Sequence, residues 1–142
     1  MISLNKLVRT IVGAPTPVLQ WLAGALWQGP LGYASGVGAG GIVTQLTSKV
    51  TAFTLNALTG QIVFAAGALA GFATSSSATW SNSFLTSQSV IVFLQNSGSI
   101  GSYEFNALCS AGQAQIVISN QSSASLNETP AVQFMVFSGS NT

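Results

Sequence analysis

Beyond residue 41 the chain is cut into short apolar or alternating segments. IVTQL, KVTAFTLN and GQIVFA come first, followed by ALAGFAT, ATWSNSF, QSVIVFLQN, SYEFNAL, AQIVISN and AVQFMVF. The breaks between them are NALTG, TSSS, NSGSIG, CSAGQ and NQSSASLNETP. Period-two alternation sends successive side chains to opposite faces of a strand. About seven to nine such strands, recurring every ~8–12 residues with no helical period between them, predict an all-β body. The architecture expected for residues 41–142 is an antiparallel β-sandwich, jelly-roll-like. ALAGFA also fits a short helical turn.

The same pattern names a core. Phe53 and Leu55 should share a face, as should Ile62 with Phe64 and Ile116 with Ile118. Val132, Phe134 and Val136 form the clearest alternating set, with Gln133 opposite. VIVFL at 90–94 is apolar on both faces, which predicts a central strand or one whose outer face a neighbouring subunit covers.

Residues 1–40 follow a different period and predict an extended, partly helical N-terminal arm. In SLNKLVRTIV, Leu4, Leu7, Val8 and Ile11 fall at helical spacing, with Lys6 and Arg9 on the other side. In TPVLQWLAGALWQGP, Thr16 is placed to cap a helix and Pro17 occupies its first turn. Val18, Trp21, Leu22, Ala25 and Leu26 then make one apolar face, and Gly29-Pro30 stops it. A helix of about 12 residues is marginal alone, so the arm needs a surface to lie on: another copy, another protein or a membrane. Its candidate contacts are Leu4, Lys6, Arg9, Leu19, Trp21, Leu22, Leu26 and Trp27. The tryptophans are the expected anchors, because interface energy concentrates in large aromatics. GPLGYASGVGAGG at 29–41 reads as a hinge.

Residues 11–33 carry no charge, but Pro15, Pro17 and Pro30 interrupt them. The uninterrupted stretch falls short of the ~20 residues of a membrane span, so a membrane partner is not expected. Ala23-Gly24-Ala25 fits a loose signal-cleavage pattern, the weaker alternative.

Charge sharpens this reading. Lys6, Arg9, Lys49, Glu104 and Glu128 are the only charged side chains, 4% of the chain against roughly 25% in average domains. Ser, Thr, Asn and Gln make up about a third of the residues and supply the polarity instead. A surface with almost no charge is poorly protected against association, so permanent assembly is expected. Three basic residues are too few for binding nucleic acid by charge.

Chemistry is nearly excluded by residue count. The chain has no His and no Asp, and Cys109 has no second Cys to pair with and no His to activate it. Histidine zinc sites are impossible and no metal site is expected. Two-carboxylate hydrolysis would need Glu104 and Glu128 to converge, yet Glu104 should point outward between inward Tyr103 and Phe105, and Glu128 falls in the loop SLNETP. Gly36, Gly38 and Gly41 spell G-x-G-x-x-G, but after a helix and before a strand, the reverse of a dinucleotide site, so no cofactor is expected. Asn120-Gln121-Ser122 and Asn127-Glu128-Thr129 match the glycosylation sequon, as chance allows in so Ser- and Thr-rich a chain.

The stretch GIVTQLTSKVTAFTLNALTGQIVF, residues 41–64, resembles the opening of a β-domain of tailed-phage and prophage structural proteins. There a segment like V-T-Q-x-T-S-K-x-T-x-V-T-L-N precedes a G-x-I strand. Val43, Thr44, Gln45, Thr47, Ser48, Lys49, Thr51, Thr54, Leu55, Asn56, Gly60 and Ile62 match, and Phe53 replaces an aliphatic residue. Residues 88–139 resemble the rest of that domain: a hydrophobic strand, a Gly/Ser turn, a Tyr-bearing strand, an I-x-I strand and an N-x-S-x-x-S-L-x-E loop. The arm with Trp21 and Trp27 lies outside the resemblance. What it implies is a virion component: a head-decoration, cement or fibre module, as a homotrimer. The expectation is therefore a non-enzymatic protein on the capsid surface whose arm clamps the major capsid protein, with a head or tail fibre for host attachment as the alternative. Lys49 falls between two strand segments, so a turn or a subunit contact is expected, its ammonium on Glu104, Glu128 or a carbonyl.

Overall fold

The computed structural model describes residues 40–137. The predicted arm helices and the contacts Leu4, Lys6, Arg9, Leu19, Trp21, Leu22, Leu26 and Trp27 lie outside the described residues, as does the hinge except for Gly40 and Gly41. The described chain forms eight strands: β1 (Ile42–Thr44), β2 (Phe53–Thr54), β3 (Thr59–Val63), β4 (Ala78–Ser81), β5 (Val90–Ser97), β6 (Tyr103–Ser110), β7 (Gln113–Asn120) and β8 (Ala131–Phe137). They make two four-stranded sheets, ordered β1-β3-β8-β5 and β2-β4-β7-β6. The body is all-β and sandwich-like, as the alternation predicts.

The ladders are mixed rather than wholly antiparallel. β1 pairs with β3 and β2 with β4 in parallel, while β3–β8, β5–β8, β4–β7 and β6–β7 are antiparallel. The cause is the path of the chain. β1, β2, β3 and β4 alternate between the two sheets, so each returns beside its predecessor but one after a crossover, which is the connection a parallel pair requires. Only β6 and β7 are joined by a tight hairpin within one sheet, where Gly112 takes a left-handed φ of 75°.

The core forms where the two inward faces meet. Ile62, Phe64, Ile116, Ile118, Val132, Phe134 and Val136 are all buried, as their spacing predicts, and Gln133 is exposed. Trp80 on β4 is fully buried at the centre, its ring edge-on to Phe134 at 4.6 Å and stacked with Phe53 at 6.2 Å. Such aromatic pairs add to the burial of their large apolar area. Gly60 lets β1 and β3 approach closely: a Cβ there would sit 2.5 Å from the Gly41 carbonyl oxygen.

Two local expectations change. ALAGFAT is neither strand nor helix but an irregular segment with isolated bridges Leu69–Leu126 and Thr74–Ser119. And VIVFL is not central: among the described residues β5 is the edge of its sheet, hydrogen-bonded only to β8. Both of its faces are apolar for a reason other than a second strand neighbour.

Candidate functional site

Lys49, Glu104 and Glu128 are the charged side chains expected at subunit contacts. Lys49 sits in a turn, as expected, yet is only 6% exposed. Its Nζ donates to the carbonyl oxygens of Ala65 (2.9 Å), Gly67 (2.8 Å) and Glu128 (2.8 Å). Three acceptors match the three protons of an ammonium, so the charge is satisfied within its own chain. Desolvation lowers the Lys49 pKa, and the nearby Glu128 carboxylate partly opposes that shift.

Glu128 extends the arrangement. Its Oε1 accepts the Ser99 N–H at 2.7 Å, in the turn between β5 and β6. That backbone bond is the main reason its carboxyl is held below the ordinary range, with Tyr103 and Lys49 as lesser causes. The Tyr103 hydroxyl is buried by the same carboxylate without meeting hydrogen-bond geometry to it. Burial first, then the Glu128 charge, push that hydroxyl up to about 12. Lys49, Glu128 and Ser99 thus form one polar strap from the β1–β2 loop, against the loop after β3 and through the β7–β8 loop, to the β5–β6 turn. Glu104 lies apart, exposed on β6, where its Oε2 accepts from Gln121 at 2.7 Å. Among the described residues no three of His, Cys, Asp or Glu gather as a metal site would require.

The sequon at Asn120 is structural. Its buried side chain donates to the carbonyls of Leu69, Ala70 and Ala124 and accepts from Ser122, which leaves it closed to glycan attachment. Asn82, also fully buried, holds the Ala57 carbonyl and the Phe84 N–H in the same way.

What remains open is surface. The outer face of the β1-β3-β8-β5 sheet carries Ile42, Val90, Val92, Leu94 and Phe137, all more than half exposed. Met135 and Gln133 stand between two shallow grooves on this face, one along β1 and β3, the other lined by Val92, Leu94 and Phe137. The other sheet's outer face is polar, with Thr79, Gln115, Ser119, Glu104 and Asn106, and Leu108 is its one largely exposed apolar side chain.

The inward faces also differ. Those of β7 and β8 are closed, whereas Ile91 and Phe93 on β5 and Phe105, Ala107 and Cys109 on β6 are only half-buried. β5 and β6 face each other across the sandwich, with Phe93 and Phe105 centroids 6.3 Å apart. The open side was legible only in part. The doubly apolar VIVFL signalled a cover, but β6 gave no such sign. A further exposed aromatic escaped the sequence reading: Phe72 is 74% exposed with a positive φ of 56°, a conformation rare for a bulky side chain.

No protein-family model, curated protein or solved structure matches this chain.

Proposed function

We propose that this chain is a non-enzymatic decoration or cement protein of a tailed-phage head. It sits on the capsid surface of the virion as a homotrimer, and its arm, residues 1–40, clamps subunits of the major capsid protein. The observation that carries the reading is a nearly uncharged sandwich with one uncovered apolar side, which suits permanent assembly. The likeness of residues 41–64 and 88–139 to phage structural β-domains supplies the identity of the assembly. Trp21 and Trp27 are the anchors on the capsid protein.

The test is binding to heads that lack the protein. The full chain should saturate them at hundreds of copies per particle, and a chain without residues 1–40 should lose binding. Undiminished binding of the truncated chain would refute the clamp. Phe72 favours a second reading, a fibre module that attaches to the host, because strained exposed aromatics at loop tips suit ligand contact. That reading expects only tens of copies per particle and loss of cell binding in Phe72→Ala.

A further inference from the structure

We infer that the β5/β6 side of the sandwich is completed by a second copy of this chain, brought in along the open edge of β5. Three observations meet there. The inward residues Ile91, Phe93, Phe105 and Ala107 remain half-open, so the core lacks a wall on this side. The outward residues Val90, Val92 and Leu94 of the same strand are exposed, so apolar surface wraps continuously around one edge. And the edge is unguarded. Exposed edges are ordinarily protected by charge, Pro, bulges or shortness. β5 has eight residues with no charge and no Pro, and its one irregularity, between Gln95 and Ser97, lies beyond the apolar run.

The occupant follows from charge and size. Across β5 and β6 the single charged residue is Glu104, near one end, so a partner of either sign finds no complementary field. Two copies of such a surface meet without like-charge repulsion. Val90, Val92, Leu94 and Phe137, each with on the order of 100 Å² open to water, give ~400 Å² per copy. The half-open inward residues bring two copies to about 1,000 Å², the minimum a specific interface must clear. Main-chain groups on the free edge of β5 then find partners as well.

This inference does not rest on the virion reading. A chain that is monomeric yet decorates heads overturns this inference and the trimer but leaves capsid attachment standing, and an oligomer that ignores heads overturns the capsid reading alone.

The experiment is sedimentation of the full chain across micromolar concentrations, with Val92→Lys/Leu94→Lys as the variant and Gln115→Lys, on the polar sheet, as the control. The wild type and Gln115→Lys should sediment as the same homo-oligomer. The double variant should dissociate at least ~100-fold more readily, because it buries unpaired ammonium groups at the contact. A monomeric wild type, or a double variant that stays assembled, overturns the inference. If the double variant fails to fold, hydrogen exchange of the wild type decides. Amides on the free edge of β5 should be slow when concentrated and fast on dilution. Fast exchange at every concentration, or protection gained only on mixing with heads, overturns it.

Discussion

β7 and β8 bury every inward side chain, whereas β5 and β6, of similar length and equally apolar, leave all but Tyr103 half open to water. Composition does not make the difference. β7 and β8 have strand neighbours on both sides and a full opposing sheet, while β5 and β6 are the edges of their sheets. The outer faces repeat the contrast: Gln, Ser, Thr and Asn dominate on the β2-β4-β7-β6 sheet, and Val, Leu, Ile and Phe on the other. A solvated face needs polar residues, and a face that will be covered does not. Hence the described body has one half that closes by itself and one half that is left open to water.

The largest test of that contrast compares two aromatic truncations. Trp80→Ala, in the closed half, should lose ~3–5 kcal/mol in urea unfolding at any protein concentration. Phe93→Ala should cost roughly half as much or less when the chain is dilute, because its ring is already partly in water. Equal losses at low concentration would break the comparison.

Next comes the strap between the halves. Lys49→Met strips three carbonyls, one buried and two part-buried, of their donor and should cost ~2–4 kcal/mol, with water recovering part of the loss. Hydrogen exchange should quicken around residues 65–69 and 126–130. Lys49→Arg should not rescue it, since a planar fork does not fit three acceptors converging on one point. Full rescue by Arg would mean that only the positive charge matters.

These two predictions concern features of unequal legibility in the sequence. Val132, Phe134 and Val136 stand out because alternation is local, and a half-buried strand imposes it residue by residue. Trp80 does not stand out in ATWSNSF, where polar neighbours dilute the pattern. The burial of Asn82 and Asn120 does not show in the sequence, because their acceptors come from chain up to 51 residues away. Lys49 is the clearest case: its cage joins carbonyls 16, 18 and 79 residues distant, and no window of local periodicity contains them. The parallel ladders were hidden for the same reason, since period two names a strand but not its partner. The doubly apolar β5 reads as a central or a covered strand, and only the strand order shows that it is an edge.

A smaller effect separates two titrations in the alkaline range. Lys49 has a lowered folded pKa, so below 10.5 the folded chain sheds this proton first and stability rises with pH. Tyr103 has the opposite sign. Between its ordinary value of 10.0 and about 12 the unfolded chain ionises first, so stability falls as pH rises. Tyr103→Phe should change neutral-pH stability by less than ~0.5 kcal/mol, because the hydroxyl completes no hydrogen bond, and should remove the alkaline fall. A fall that persists in Tyr103→Phe would place its origin in another group.

The smallest effect lies at the acid end, where the strap meets the open half. The Glu128 carboxyl has a lowered folded pKa, chiefly because it accepts the Ser99 N–H. Its contribution is therefore present above its ordinary value of 4.5 and is lost as pH falls through the lower, folded value. Glu128→Gln keeps the shape but not the charge, so its stability should be flatter with pH across that window. Its Ser99 amide should exchange faster at neutral pH, while the amides of β7 and β8 stay unchanged. Such a local response would place the weaker link between the two halves at the β5–β6 turn. Protection lost equally across all eight strands would instead make the sandwich a single unit and dissolve the distinction between its closed and open sides.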